Sequence, residues 1–142
     1  PKLFSKAITG LADGTIIPKP QHSDPNLSHR CYPRRAEDSH IDWKDSSENI
    51  HRLIRASSRP LSGAYTTLEG TGRLTIWRAD KFDHPGDFFA IPGQILYRHE
   101  GDPIIGCGIG TIRLTQISLA GVDDSLAKKE VGKHLRLRLI NT

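Results

Sequence analysis

The stretch Ser39-His-Ile-Asp-Trp-Lys-Asp-Ser-Ser-Glu-Asn-Ile-His-Arg-Leu-Ile-Arg-Ala56 decides the reading of the chain, because it joins a proline-rich run to a series of short strands. Ile41 and Trp43 alternate with polar residues, which predicts a short strand. Asp45-Ser46-Ser47-Glu48 then supplies N-cap oxygens and acidic first-turn residues for a helix. Ile50, Leu53 and Ile54 fall at i, i+3 and i+4 and give that helix one apolar stripe. Arg52, Arg55 and Arg59 recur at spacings of three and four and share a neighbouring face for as long as the helix lasts. Ser57-Ser58 and Pro60 predict that it stops before Pro60.

Downstream, Ala64 to Leu68 and Arg73 to Ala79 are rich in Thr, aromatic and branched residues. Glu69-Gly70-Thr71-Gly72 between them supplies glycines for positive φ, so the pair reads as a β-hairpin. Leu74, Ile76 and Phe82 are expected on one face, Arg73, Thr75 and Trp77 on the other. Gly93 to Arg98, Ile104 to Cys107 and Thr111 to Ile117 read as three further strands. Leu135, Leu137 and Leu139 alternate with Arg136 and Arg138 to predict a last strand. Gly106-Cys-Gly-Ile-Gly110 has the glycines of a phosphate loop but precedes a β-branched segment instead of opening a helix, so it reads as a tight hairpin. Six short strands with one helix near their start predict a small, mostly antiparallel barrel.

Upstream, Leu3-Phe4, Ala7-Ile8 and Leu11 predict a short amphipathic helix over residues 2–13, with Asp13-Gly14 as its stop. Pro18, Pro20, Pro25 and Pro33 make residues 18–38 an extended linker. Within it His29-Arg30-Cys31-Tyr32-Pro33-Arg34-Arg35 is a compact cationic segment, read either as solvated linker charge or as an anion-binding segment in which guanidiniums grip phosphate.

At 142 residues the chain has room for one sizeable core, and 13 Gly, 9 Pro and 36% hydrophobic residues suit a loop-rich domain better than a helical bundle. No stretch approaches the roughly 20 apolar residues of a membrane span and the start lacks a signal-peptide pattern, so a soluble cytoplasmic protein with no membrane partner is expected. Cys31 and Cys107 lie far apart in sequence and are read as two free thiols, with a disulfide between them as the alternative. The absence of methionine, position 1 included, predicts a fragment or a processed product. The seven histidines show no HxH, HxxH or HExxH spacing and there is no CxxC, so no metal site is expected. No nucleophile elbow exists either, and no catalytic residue is assigned. The net charge of +4 admits an anionic partner without requiring one. Lys128, Lys129, Lys133, Arg136 and Arg138 are the candidate nucleic-acid contacts by composition, read also as a solvated face.

Glu37-Asp38-Ser39-His40-Ile41-Asp42-Trp43, Ile50-His51-Arg52-Leu53-Ile54-Arg55-Ala56, Gly63-Ala64-Tyr65 and Leu74-Thr75-Ile76-Trp77-Arg78-Ala79, in that order, resemble the C-terminal part of formyltransferases that use 10-formyltetrahydrofolate. The sequence departs from that pattern at Leu61-Ser62, where these proteins usually carry an aromatic residue and a proline. The resemblance implies a fold that is mainly β with one or two helices, a small open barrel like the oligonucleotide-binding fold. It also implies three segments: residues 1–27 as the tail of an N-terminal catalytic domain, 28–40 as linker and 41–142 as the barrel. The family's catalytic Asn, His and Asp and its 10-formyltetrahydrofolate site would lie in that N-terminal domain, so the chain alone is expected to be inactive. Arg34-Arg35 followed by Asp38-Ser39 looks most like formyltransferases acting on nucleotide-linked amino sugars, which makes Arg34 and Arg35 the candidate substrate-binding residues. The alternatives are a methionyl-tRNA acceptor held by the basic face, and a free-standing barrel that binds nucleic acid or protein.

Overall fold

Local capping fixes where the second helix of the chain begins. Ser46 is extended and its Oγ accepts from the Asn49 amide at 3.2 Å, while Asp45 Oδ1 accepts from the Asn49 side chain at 2.8 Å. The computed structural model describes residues 2–27, 32–86, 89–133, 135 and 137–140. It divides into two units, Pro1–Pro33 and Arg34–Thr142.

The first unit holds helix α1 (Lys2–Ala12) and a 3-10 turn at Pro25–Leu27. Gly14 at φ +75° follows the helix, and Asp13 Oδ1 accepts from the Thr15 amide at 3.0 Å. Leu3, Phe4, Ile8 and Leu11 form its apolar stripe, and all four are exposed.

The second unit contains α2 (Ser47–Ser57), β1 (Ala64–Leu68), β2 (Gly72–Phe82), β3 (Ile95–His99), β4 (Asp102–Gly106), β5 (Thr111–Leu119), α3 (Asp124–Val131) and β6 (Leu139–Ile140). The strands form one antiparallel sheet in the order β3-β4-β5-β2-β1-β6. It curls until its outer members meet at one end: Leu139 donates its amide to the Gly93 carbonyl at 2.9 Å, and Gln94 pairs with Arg138. Gly93 has φ +85°, and a Cβ there would collide with the Leu139 carbonyl oxygen. The fold is mainly β with three helices, the open barrel that the sequence predicts.

Ile50 and Ile54 of α2 are buried against Leu74, Ile76 and Ile117 of the curled sheet, each worth about 1.5–3 kcal/mol of apolar burial. The glycine-rich turn after β4 also works as a hairpin, with Cys107 donating to Gly110 O at 3.0 Å. It does more than reverse the chain, because the Gly108 amide donates to Trp43 O and Asp45 O, both at 2.9 Å, and the Ser47 amide donates to Ile109 O at 2.8 Å. The turn therefore fastens the start of α2 to the β4–β5 end of the barrel.

Three local expectations differ from the structure, and one helix is found where none is expected. Ile41 and Trp43 are buried as their alternation implies, but they form no strand: the Ile41 amide bonds to Tyr65 O and the Trp43 carbonyl to Gly108, two separate elements. In β2 the Leu74 and Ile76 alternation does not run on to Phe82. A register shift against β5 around Arg78 turns Ala79 inward instead. Among the described residues of the expected strand over 135–139, pairing begins at Arg138, which bridges Gln94, and continues into Leu139–Ile140, while Leu135 is exposed. Before it stands α3, capped by Asp123 Oδ1 accepting from the Ser125 amide at 2.9 Å and seated by Ala127 and Val131.

Candidate nucleic-acid interface

The register shift in β2 also builds a cationic groove of the second unit. Where a regular strand would send Trp77 and Arg78 to opposite faces, the bulge leaves Trp77 half-buried and Arg78 exposed beside α2. The apolar stripe of α2 faces the core, so Arg52 and Arg55 face outward. Glu48 neutralises the first turn of this face through Arg52 at 3.2 Å and Lys81 at 2.6 Å. Those two contacts, largest first Lys81, hold the Glu48 carboxyl below its usual value. Further along, His51, Arg55, Trp77, Arg78, Asp80 and Gln116 line a cavity of about 550 Å³.

One hydrogen bond fixes the indole beside that groove and a second holds the Trp77 backbone. Trp77 Nε1 donates to Ser118 Oγ at 2.8 Å, and Ser58 Oγ donates to the Trp77 carbonyl at 2.9 Å. The Arg59 guanidinium carbon lies 4.9 Å from the ring centroid, a cation–π contact. Arg73 lies in the same way 3.9 Å from the Tyr65 ring. Among the described residues no ion pair involves Arg55, Arg59 or Arg78, so three guanidiniums stand against the single carboxylate of Asp80. Such an arrangement suits a polyanion carrying a planar group.

The residues singled out from sequence are dispersed. Arg34 holds the carboxyl end of α2: its guanidinium donates to Ala56 O at 2.8 Å, to Ser57 Oγ at 2.5 Å and to Ser39 Oγ at 3.4 Å. A cation belongs there because the last carbonyls of a helix lack partners and carry partial negative charge. The Arg35 side chain is exposed, while its amide donates to Asp38 Oδ2 at 2.7 Å. Lys128 Nζ donates to buried Asp102 at 2.6 Å and Lys133 Nζ to Glu130 at 2.7 Å, so both are ion-paired; Lys129 is exposed. Arg138 is exposed at the barrel seam, beside a cavity of about 280 Å³ that also touches Lys44 and Ile91. Arg136 lies outside the described residues. Sequence reasoning found the Arg52, Arg55, Arg59 periodicity but not Arg78, whose place depends on the bulge.

A model of the formyl transferase C-terminal domain matches residues 34–129, from the α2-capping arginine to α3. The chain belongs to this family. Among its relatives, methionyl-tRNA formyltransferase from Marinobacter nauticus is 33% identical over 121 residues, covering 84% of this chain and 37% of that protein. The same enzyme from Gluconacetobacter diazotrophicus is 41% identical over 85 residues, covering 60% of this chain and 26% of that protein. The chain thus spans little more than a third of the length of the curated relatives it matches. The fold recurs in HypX from Aquifex aeolicus, solved in complex with tetrahydrofolic acid, at TM-score 0.59 and 18% identity over 94% of this chain and 23% of that one.

Within this formyl transferase C-terminal domain, no group of three or more His, Cys, Asp or Glu side chains among the described residues could hold a metal ion. No helix among them is long and apolar enough to cross a membrane. Cys107 is buried, and that burial, with a smaller contribution from the Asp45 charge, pushes its thiol up to about 12. It should carry about 1,000-fold less thiolate than a thiol at the ordinary value of 9.0. Iodoacetamide at about pH 8 should leave the Cys107 peptide unmodified in the native chain and alkylate it in urea; equal labelling in both would mean that the site opens.

Proposed function

We propose that this domain grips the RNA acceptor of a formyltransferase that moves a formyl group from 10-formyltetrahydrofolate to the amine of methionyl-tRNA. The observation that carries this reading is the groove between α2 and β2, lined by Arg55, Trp77 and Arg78, with Arg59 on the Trp77 ring and none of the three arginines ion-paired among the described residues. Guanidiniums are suited to phosphate because their donors match its oxygens in pairs. The chemistry would proceed by attack of a neutral amine on the formyl carbonyl, with a base taking the amine proton and donors stabilising the oxyanion. Those groups and the cofactor are assigned to an N-terminal catalytic domain. We assign residues 1–27 to the tail of that domain, 28–40 to the linker and 41–142 to the barrel, with the exposed stripe of α1 as the surface that meets the catalytic domain. The assembled enzyme would act in the cytoplasm.

A nucleotide-linked amino sugar held by Arg34 and Arg35 is less well supported, since the Arg34 guanidinium is engaged by the end of α2. A diphosphate would have to displace bonds that hold the helix.

Titration of a fluorescent tRNA with the chain at several salt concentrations tests the proposal by anisotropy. Arg55→Ala/Arg78→Ala should weaken binding about tenfold and make the log–log salt slope shallower by about 2, one for each lost phosphate contact. Unchanged affinity in that variant, together with a loss in Lys129→Ala/Arg138→Ala, would move the interface to the other side of the barrel. Retained tRNA binding with a lost nucleotide-sugar affinity in Arg35→Ala would favour the sugar acceptor.

A further inference from the structure

The groove offers more than charge. The chain has two tryptophans, and they are placed differently: Trp43 is 2% exposed within the core, whereas Trp77 is half-buried with its ring in the groove wall. Core packing alone would not require what surrounds Trp77. Its indole N–H is bonded to Ser118, so the polar edge of the ring is satisfied and oriented, while Ser58 holds the Trp77 backbone carbonyl. Gly63, at φ +84°, lets the backbone pass close by: a Cβ there would stand 3.1 Å from Trp77 Cζ3 and 2.5 Å from the Thr75 methyl. What covers the indole instead is the exposed side chain of Arg59.

We infer that Trp77 is a stacking platform for one unpaired nucleobase of a bound RNA, with Arg59 yielding the indole face to the base while Arg55 and Arg78 take neighbouring phosphates. The inference rests on the RNA-binding reading above and specifies what the RNA must present. A guanidinium and a nucleobase are both flat groups that use the same face of the indole, so one can replace the other without rebuilding the site. The exchange favours the base: an exposed arginine on a ring gives up a weak contact, whereas base–aromatic stacking is the stronger of the two. The displaced Arg59 keeps its charge and gains a phosphate. Next to Trp77 lies a cavity of about 550 Å³ lined by Arg55 and Arg78, within the roughly 300–1,000 Å³ range of small-ligand sites, which leaves room for the nucleotide that neighbours the stacked base. Bases inside a duplex present their edges and keep their faces stacked on one another, so only an unpaired base can lie flat on Trp77.

Tryptophan emission reads this contact directly, because buried Trp43 is shielded from a base in the groove. The probes are a short unstructured oligo-A RNA, the oligo-A·oligo-U duplex at equal phosphate, and inorganic polyphosphate, with binding followed separately by anisotropy of a labelled RNA. The single strand should quench the emission of the native chain, and the duplex and polyphosphate should bind through charge without quenching. Trp77→Phe, which keeps a ring and spares the fold, should abolish the quenching, and Trp77→Ala should weaken single-strand binding about tenfold. RNA binding without quenching would overturn the stacking site and leave the RNA-binding reading intact. No RNA binding by anisotropy would overturn both. Equal quenching by strand and duplex, or quenching that persists in Trp77→Phe, would also overturn the inference.

Discussion

Replacing Arg113 and Lys128 together by methionine should destabilise the domain more than replacing Asp102 by asparagine, although only the second change removes the carboxylate at the centre of the cluster. Asp102 is the buried member, its side chain 8% exposed, while Arg113 and Lys128 are 23% and 39% exposed. Arg113 Nε donates to Asp102 Oδ2 at 2.7 Å and Lys128 Nζ to Oδ1 at 2.6 Å. Leaving a buried carboxylate with neither cation costs about 3–5 kcal/mol. In Asp102→Asn the cations lose less, since Lys128 reaches solvent and Arg113 keeps Glu100 at 2.9 Å. That loss should be about 1–2 kcal/mol. Urea unfolding of the two variants against the native chain gives the order, and a reversed order would mean that Asp102 is hydrated once its partners are gone.

The native chain and the double variant should differ in sign in the pH dependence that Asp102 contributes, and Asp102→Asn should lack that contribution. Burial pushes the Asp102 carboxyl up, but its hydrogen bonds from Lys128 and Arg113, with their charges, override that and hold it below the usual carboxylate range. A folded carboxyl that binds its proton less tightly than the unfolded one contributes stability above the unfolded value and loses it as pH falls through the lowered folded value. In Arg113→Met/Lys128→Met only burial remains, so the folded pKa rises. The penalty is then present at neutral pH and is relieved as pH falls through that raised value. Relative to the native chain, the double variant should recover stability between about pH 7 and about pH 4, as read from urea midpoints.

Lys128 also shows what one sequence can and cannot reveal. Its charge is plain, but the carboxylate that claims it lies 26 positions earlier on another element. Arg34 is the same case, a cation whose acceptors stand 22 and 23 residues further on. By contrast, α2 was legible because its cap, acidic first turn and apolar stripe all act within a few residues of one another. The β1–β2 and β4–β5 hairpins were legible for the same reason, through glycines next to branched runs. Helix α3 carried a readable signal in Asp123 and Ser125, but its polar run buries little beyond Ala127 and Val131, so periodicity is faint. The groove was legible only in half, through the arginine spacing of α2. Trp77 and Arg78 share its wall because β5 sets Gln116 opposite Arg78, a pairing across 38 residues that no local pattern encodes.

Trp43→Ala should cost about 3–5 kcal/mol, the range for deleting a large buried aromatic side chain, and a substantial part of the roughly 5–15 kcal/mol that holds an ordinary domain together. The residue is 2% exposed and joins three parts of the barrel. Its Nε1 donates to Thr66 Oγ1 of β1 at 3.0 Å, its carbonyl accepts from Gly108 in the β4–β5 turn at 2.9 Å, and its Cδ1 would stand 3.4 Å from a Cβ on Gly93 at the seam. Truncation empties the volume shared by these elements, and the Gly93 backbone at the seam has no side chain that could fill it. Trp43→Phe should cost much less, about 1–2 kcal/mol, because the ring stays and the Thr66 hydroxyl still donates to Ile140 O at 3.1 Å. Urea unfolding followed by circular dichroism checks both values, and a loss below about 1 kcal/mol in Trp43→Ala would show that the barrel closes around the gap. Trp43→Phe also leaves Trp77 as the sole source of tryptophan emission. Quenching by single-stranded RNA should therefore persist in that variant and reach a larger fraction of its signal, whereas a groove that binds phosphate alone would leave the emission unchanged.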